Sequence, residues 1–357
     1  MTEAGDATGV GYRAAGVDID AGAEAVRRIG PLVRSTYRPG VMGDIGGFGG
    51  LFDLARSGYR DPILVSATDG VGTKAEIARL TGRLDTIGRD LVAMCVDDLV
   101  CSGAAPLFFL DYLAVGRLDP EAVEHLVGGI AAGCSEAGCA LIGGEMAEHP
   151  GVMSADQFDL VGFAVGAVER EDVMDGSATS SGDLLVAIDS PNLRSNGFSL
   201  ARHVVFDVAG RSLEDPAWEG SEGTLADELL APSVIYAPAV VAVLAVHEVH
   251  AVAHVTGGGL PGNLSRVLGE DVDAVLDHTA WEVPRIFREL QDMGGVSDGE
   301  MARVFNLGVG MVLVVPPSEA DGVVATLASG ARPARVIGEL VPGTGTVAYS
   351  SAGGMGS

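Results

Sequence analysis

The chain has 357 residues, of which 47% are hydrophobic, so it is long enough for two domains with sizeable cores. Its formal net charge of −27 argues against a nucleic-acid or anionic-membrane partner. Its four cysteines lack metal-ligand spacing, and its longest apolar stretch, residues 234–246, is too short to span a bilayer. These features predict a cytoplasmic protein with reduced thiols that acts on a small molecule.

Glycine dominates an early segment of the chain. Residues 1–11 are polar and glycine-rich and are expected to be disordered. Five glycines within residues 43–50, including Gly46, Gly47 and Gly49, prevent a stable helix or strand. The segment is either a structural loop or a mobile flap over a ligand. The apolar Phe48 in so flexible a segment favours the flap.

A strand-to-helix junction at residues 66–74 is the centre of the chain. The apolar run 63–65 leads into it and a helical segment, 75–80, leaves it. Such a junction offers free backbone N–H groups to a phosphate, and a carboxylate beside it suits Mg²⁺. The residues that supply these groups are Asp69, Gly70, Gly72, Thr73 and Lys74. The alternative is an ordinary turn capped by Asp69.

Two further acids of the first half, Asp97 and Asp98, fall within a predicted helix. The spacing of Ile87, Leu91, Met94, Asp98 and Cys101 predicts that Asp98 lies in the apolar stripe of a helix over 87–102, with Asp97 on an adjacent face. A buried carboxylate needs a cation or donors, so Asp98 is either a metal ligand or a capping or ion-paired residue, unless the helical phase is wrong.

Strands are expected at 106–115, 139–145 and 158–168, with a helix that begins at Asp119-Pro120. Glu145 ends the second of these strands beside two glycines, as Asp69 does earlier in the chain. Glu145 is therefore a second candidate metal ligand, although a surface loop acid has the same appearance.

The second half repeats the pattern of strands, glycine turns and helix starts. A strand over 184–188 leads to Arg194, Ser195 and Asn196, which precede a helix. A strand over 249–255 leads to Thr256, Gly257 and Gly258, again suited to an anion. Further strands are expected at 303–315 and 335–340. His247, His250 and His254 do not fit HExxH, so hydrogen-bonded or substrate-contacting roles are favoured over metal binding.

Together these elements predict an α/β fold of the α+β type with two mixed-sheet domains. The expected limits are a disordered tail at 1–11, an N-terminal domain at 12–170, a C-terminal domain at 171–342 and a flexible tail at 343–357. The candidate acids lie in the first domain and the turns at 195 and 256 in the second. A ligand site between the domains is therefore expected.

Several of these motifs occur together, in the same order, in one enzyme family. They are Ala15–Gly22, Gly46–Gly49, Thr68–Lys74, Asp85–Val96, Pro106–Tyr112, Gly143–Glu145, Ser195–Gly197, Thr256–Gly259 and Phe305–Met311. From about residue 12 to 340 the chain resembles the phosphoribosylformylglycinamidine cyclo-ligase family, also called aminoimidazole ribonucleotide synthetases. The Asp-Gly-Val-Gly-Thr element alone is shared with relatives that phosphorylate thiamine phosphate or make selenophosphate.

The resemblance implies a homodimer in which the N-terminal sheets pair into a barrel. It implies that Asp69 and Asp98, helped by Glu145, hold Mg²⁺ on ATP, and that Lys74 neutralises phosphate charge. It implies that the Gly43–Gly50 loop, with Gly46, Gly47 and Gly49, closes over the triphosphate, and that Gly70, Gly72 and Thr73 bind ATP at the junction. It places Ser195, Asn196, Thr256, Gly257 and Gly258 against formylglycinamidine ribonucleotide.

Two positions depart from the family pattern. The family often has His where this chain has Arg194, and many members have Asn where it has Asp97. Because a guanidinium does not shuttle protons near pH 7, Arg194 is expected to bind the substrate phosphate instead.

The reaction that the resemblance implies is ATP-dependent ring closure in purine biosynthesis. Lys74 and Asp98 are its candidate catalytic residues, and the general base is unassigned. A small-molecule kinase on the same scaffold and a catalytically silent nucleotide-binding protein are the alternatives.

Overall fold

The computed structural model describes residues 11–350, and the first half of this range is a sheet covered by helices on one face. Its strands are β1 (Val41–Met42), β2 (Leu51–Phe52), β3 (Pro62–Gly70), β4 (Ala105–Val115), β5 (Ala140–Glu148) and β6 (Phe158–Glu169). Its helices are α1 (Ile19–Ser35), α2 (Lys74–Thr81), α3 (Ile87–Val100) and α4 (Pro120–Ala137). As predicted, Asp119 caps α4 by accepting from Glu121 N at 3.0 Å, and Pro120 begins the helix.

The main sheet of this half has the strand order β3-β6-β4-β5. Only β4 and β5 are parallel to each other, and the short strands β1 and β2 pair separately. The pairing places Asp69, Gly162, Asp111 and Gly144 in one row across the sheet. Because side chains alternate between the faces, these residues point to one side of the sheet.

The two faces of this sheet differ in their surroundings. One face packs on α3, as shown by Phe109, Leu160 and Ala164, which are fully buried. The opposite face carries Leu64 and Phe163, which are 59% and 39% exposed. One face therefore forms the core of the first half, and the other leaves large apolar side chains uncovered.

The second half is built on a six-stranded sheet. Its strands are β7 (Leu184–Asp189), β8 (Ala251–His254), β9 (Val272–Leu276), β10 (Val309–Val315), β11 (Ala334–Pro342) and β12 (Val347–Tyr349), in the order β12-β9-β11-β7-β10-β8. Only β12 runs parallel to its neighbour. Its helices are α5 (Phe198–Arg202), α6 (Leu225–Leu229), α7 (Ala237–Leu244), α8 (Gly259–Leu264), α9 (Arg285–Gly294), α10 (Asp298–Val304) and α11 (Ala320–Ser329).

The mixed sheets of both halves confirm the predicted fold class. Two local expectations were wrong. The strand expected at 303–315 begins only at Val309, because the residues before it end α10, which Ser297 caps by accepting from Glu300 N at 3.3 Å. The expected tail after residue 342 contains β12. The segment before β12 is fixed by Asp273, whose carboxylate accepts hydrogen bonds from Thr344 N and Thr346 N.

The predicted domain boundary falls in the segment between β6 and β7, and the domain limits themselves stay a prediction. Of the predicted tails, residues 1–10 and 351–357 lie outside the described residues. In the described range, 11–350, no helix has both the length and the apolar character needed to cross a membrane.

Candidate functional site

The junction at residues 69–74 lies between the end of β3 and the start of α2, as the sequence indicates. Gly72 has a φ of +66°, a left-handed conformation that glycine adopts without strain. Asp69 accepts from Gly70 N at 2.7 Å. Burial raises the pKa of Asp69, and the nearby charge of Asp98 raises it further. A cation between these carboxylates would relieve both effects.

Asp98 does not lie in the apolar stripe of α3, so the predicted helical phase was wrong. Its side chain is 48% exposed, whereas that of Asp97 is completely buried. Asp97 Oδ1 accepts from Tyr236 N at 2.8 Å and Ala237 N at 2.9 Å at the start of α7. Because α3 is buried on almost every side, apolar spacing alone did not identify its one open edge.

Asp98 faces the second half of the chain. Its Oδ1 lies 2.7 Å from Nδ1 of His254, the last residue of β8. His254 leads directly into the predicted turn at Thr256–Gly258, whose carbonyl oxygens at Thr256 and Gly257 accept from Asn263 Nδ2. The acid from the first half and the glycine turn from the second are therefore brought together.

The turn at residues 194–197 reaches the same place. Thr73 Oγ1 lies 3.1 Å from Ser199 Oγ, which is two residues beyond this turn. A Cβ added to Gly72 would lie 3.9 Å from the Ser195 carbonyl oxygen, and one added to Gly257 would lie 4.0 Å from Asn196 Nδ2. Five of the residues predicted to face phosphate or substrate are thus brought together where the two halves meet, a place called the cleft below: Gly72, Thr73, Ser195, Asn196 and Gly257.

Lys74 has a different environment from the one predicted. Its side chain is completely buried, with Nζ 2.8 Å from Asp90 Oδ2. Nζ also donates to the carbonyl oxygens of Arg194 at 3.0 Å and Ala231 at 2.9 Å. Burial lowers the pKa of Lys74, and Asp90 opposes that effect. The ammonium group joins the two halves and does not face the cleft, so this geometry favours a structural role over the predicted contact with phosphate.

Arg194 is also internal. Its side chain is 1% exposed, and Nη2 lies 2.6 Å from Asp97 Oδ2. Nη1 contacts His254 Nε2, and the guanidinium stacks 4.7 Å from the centre of the Tyr236 ring. The two positions that depart from the family pattern, 97 and 194, are therefore partners in one buried ion pair. This placement does not support the predicted contact between Arg194 and a substrate phosphate.

The glycine-rich loop borders a separate cavity of about 640 Å³. Residues 44–50 line one side of this cavity, and α1 and the middle of β5, including Gly143 and Glu145, line the other. The expectation that Glu145 ends its strand was wrong, because β5 stays paired with β4 as far as Glu148. Phe48 is completely exposed at the tip of the loop. Asp111 lies at the cavity wall, and its burial raises its pKa to about 7. The loop therefore has the position expected of a cover, over a cavity with one ionisable wall residue whose pKa is raised.

Glu145 is not brought to the other two candidate metal ligands. Its neighbour Gly144 is in the same row as Asp69, three strand spacings away, which amounts to roughly 14 Å. Among residues 11–350 no three His, Cys, Asp or Glu side chains are grouped so as to hold a metal ion. Asp69 and Asp98 are thus the pair that fits a divalent cation: both supply hard oxygen donors, the charge of Asp98 is near enough to raise the pKa of Asp69, and neither has a lysine or arginine partner in the described range.

Sequence reasoning missed the roles of Asp90, Asp97 and Asp111. Asp97 contacts residues 97 to 140 positions away and Asp90 contacts Ser233, 143 positions away, for which the sequence carries no local signal. His254 is hydrogen-bonded, as the sequence favoured, but its partners Arg194 and Asp98, 60 and 156 positions away, were not identified. Asp111 did give a signal, because it is a carboxylate within an otherwise apolar strand.

Comparison with known proteins places both halves in one family. Residues 57–168 match the N-terminal domain of AIR synthase related proteins, and residues 180–350 match the C-terminal domain. The phosphoribosylformylglycinamidine cyclo-ligase of Geotalea daltonii is 50% identical over 329 residues, covering 92% of this chain and 94% of that protein. The enzyme of the same name from Shouchella clausii is 47% identical, covering 97% and 99%.

Solved structures share the fold at low sequence identity. Thiamine-monophosphate kinase from Stenotrophomonas maltophilia is 18% identical with a TM-score of 0.66, covering 90% of this chain and 96% of that one. Hydrogenase maturation protein HypE in complex with ATP is 17% identical with a TM-score of 0.65, covering 97% and 93%. The fold is thus shared with proteins of other names, whereas sequence identity near 50% is found with the cyclo-ligases. The chain belongs to the phosphoribosylformylglycinamidine cyclo-ligase family.

Proposed function

We propose that this protein catalyses the ATP-dependent cyclisation of formylglycinamidine ribonucleotide to aminoimidazole ribonucleotide, with release of ADP and phosphate, in purine biosynthesis. The observation that carries the proposal is the identity of about 50% to enzymes of that name over more than 90% of both chains. The cleft between the halves supports it, because two of the three candidate acids, Asp69 and Asp98, meet both glycine turns there.

Asp69 and Asp98 would hold Mg²⁺, and the loop over 43–50 would cover ATP. A structural relative that was crystallised with ATP supports ATP as the phosphoryl donor. Mg²⁺ supplies charge neutralisation on the transferring phosphoryl group when it is bound. Glu145 borders the cavity under the loop, so we place it near the nucleotide and not beside Asp69.

The chemistry asks the chain to position its reactants. The amide oxygen of the substrate attacks the γ-phosphate, and ADP leaves. The resulting phosphorylated imidate has a good leaving group, so the amidine-side nitrogen attacks that carbon and phosphate departs. Backbone N–H groups at Gly72–Thr73 and Thr256–Gly258 would bind phosphate oxygens, because those of Gly70 and Val71 already donate to Asp69 and Leu160. Ser195 Oγ is buried and makes no hydrogen bond with the described residues, which leaves it free to bind substrate.

A cytoplasmic homodimer is part of the proposal. The open face of the β3-β6-β4-β5 sheet exposes Leu64, Tyr112 and Phe163, as expected of a face that a second copy covers. Light scattering at micromolar concentration would detect the dimer. Leu64→Asp should then yield monomers.

One assay tests the activity. The purified protein is incubated with Mg-ATP and formylglycinamidine ribonucleotide, and ADP and aminoimidazole ribonucleotide are quantified together. Equal amounts of both products are expected. ADP without the imidazole, or ADP formed only with another acceptor, would indicate a kinase. Neither product, from a folded protein that still binds ATP, would indicate a silent nucleotide-binding protein.

A further inference from the structure

Arg194 connects the buried acid Asp97 to His254, and His254 in turn contacts Asp98 at the cleft. The three contacts are Nη2 to Asp97 Oδ2 at 2.6 Å, Nη1 to His254 Nε2, and His254 Nδ1 to Asp98 Oδ1 at 2.7 Å. These contacts therefore connect the buried Asp97 to Asp98, which is one of the two acids assigned to Mg²⁺.

The contact with the Arg194 guanidinium determines which ring nitrogen of His254 carries the proton. Arginine only donates hydrogen bonds, so Nε2 of His254 must be the acceptor. A neutral imidazole that accepts at Nε2 carries its proton on Nδ1. That proton points at Asp98 Oδ1, and His254 therefore donates to the carboxylate.

Arg194 is itself held firmly. Its backbone has a φ of +61°, which is uncommon for a residue other than glycine and is costly unless its surroundings impose it. Arg194 N donates to Asn192 Oδ1 at 3.0 Å, and Nη2 also donates to Val234 O at 3.1 Å. Its position is thus fixed through both the main chain and the side chain.

We propose that Arg194 is a positioning residue that acts through His254. It holds the imidazole as the Nδ1–H tautomer, and His254 then holds the Asp98 carboxylate in one orientation for the cation. Such partners of metal-binding carboxylates typically change metal affinity by about 10- to 100-fold. The effect on Mg²⁺ rests on the proposed function, whereas the tautomer does not.

The tautomer is tested without ligands. Nitrogen-15 NMR of histidine-labelled protein reports which ring nitrogen carries the proton, and His254→Asn identifies the His254 signals by their loss. In the wild-type protein we expect the Nδ1–H form alone. Arg194→Lys keeps the positive charge beside Asp97 but lacks the planar guanidinium that contacts Asp97 and His254 at the same time. A mixture of His254 tautomers is therefore expected in this variant. An Nε2–H form in the wild type, or no change in Arg194→Lys, would overturn the proposal.

Two substitutions of His254 test the link to Asp98. In His254→Asn the amide nitrogen takes the place of Nδ1, and in His254→Gln it takes the place of Nε2. We expect the Mg²⁺ concentration for half-maximal rate to rise about tenfold or more in His254→Gln and substantially less in His254→Asn. Equal effects in both variants would contradict the proposal.

A matched control separates these effects from general loss of an arginine. Arg170→Lys changes an exposed arginine paired with Asp61, and it should leave the tautomer and the Mg²⁺ requirement unchanged. Should the wild-type protein fail to turn over the substrate while its His254 tautomer is as stated, the proposed function fails and the inference about the tautomer stands.

Discussion

Lys74 Nζ lies 2.8 Å from Asp90 Oδ2, and both side chains are completely buried. Asp90 Oδ1 in turn accepts from Ser233 N at 2.8 Å, and Lys74 donates to two carbonyl oxygens of the second half. A lysine at the predicted phosphate-binding junction thus neutralises a buried acid. We therefore expect substitution of Lys74 to lower the stability of the fold rather than to change catalysis directly.

Lys74→Met should lower the free energy of unfolding by about 3–5 kcal/mol, because it leaves Asp90 buried without its partner. Urea denaturation measures this. Arg170→Met is the matched control, since its partner Asp61 is exposed, and it should change stability by at most about 1 kcal/mol. Normal stability with a selectively raised KM for ATP would instead support the phosphate contact predicted from sequence.

Asp69→Asn and Asp98→Asn should each lower kcat roughly 10²-fold or more, because the cation and the phosphoryl group lose a charge that acts in the transition state. Steady-state ADP formation at saturating ATP measures the loss, and thermal denaturation checks the fold. Asp61→Asn is the control, since the side chain of Asp61 forms an exposed ion pair with Arg170. Rates near normal in both variants would remove these residues from the metal site.

Asp111 should make stability depend on pH. Its pKa is raised by burial to about 7 from an ordinary value near 3.8. Between these values the folded protein keeps a proton that the unfolded chain releases, so the contribution of Asp111 to stability is present at low pH and is lost as pH rises towards 7. Asp111→Asn, which does not ionise, should gain stability relative to wild type over that range.

Urea denaturation of both proteins at pH 5, 6, 7 and 8 tests this prediction. The free energy of unfolding of Asp111→Asn minus that of the wild type should increase by at most about 1.4 kcal/mol per pH unit and become constant above about pH 7. Asp61→Asn is the control. Because Arg170 lowers the pKa of Asp61 below its ordinary value, that carboxylate is ionised throughout this range, and the difference should stay constant. A difference for Asp111→Asn that is independent of pH would refute the assignment.

Gly50→Ala should displace the glycine-rich loop. A Cβ at this position would lie 2.7 Å from Ile142 Cγ1 and 2.8 Å from the Ile142 carbonyl oxygen, which is fixed in β5. Overpacking of this kind costs about 1–3 kcal/mol. If the loop covers ATP, the KM for ATP should rise roughly tenfold.

The control for the loop is Gly299→Ala in α10, where a Cβ would meet no neighbouring atom. It should leave the KM for ATP unchanged. An unchanged KM in Gly50→Ala, with the lowered thermal stability expected of a displaced loop, would mean that the loop does not cover the nucleotide.

Local sequence patterns predict much of the secondary structure, whereas the environments of several buried side chains depend on partners that are distant in the sequence. The strand-to-helix junction at Asp69, the helix start at Asp119 and the strands of the first sheet follow from turn chemistry and apolar alternation. The family resemblance identified the enzyme class. The cleft itself was anticipated because its acids and its glycine turns belong to different halves.

The errors arise where a side chain is defined by a distant partner. The spacing rule placed Asp98 in the core of α3, but the partners of Asp97 come from residues 194, 236 and 237 and draw Asp97 inward instead. Lys74 looked like a phosphate ligand because Asp90, its partner on another helix, is not marked as such by the sequence. Likewise β12 forms because β9 offers an edge, which local composition does not show.

The positions of Lys74 and Arg194 also limit how the protein can move. A hinge opening between the halves would pull the Lys74 ammonium from two carbonyl oxygens and separate Arg194 from Asp97, at a cost of several kcal/mol for each buried ion. Ligand exchange by rotation of rigid domains is therefore disfavoured. Substrates and products should enter and leave through local motion of the exposed loops, and the two halves should unfold together as a single cooperative unit.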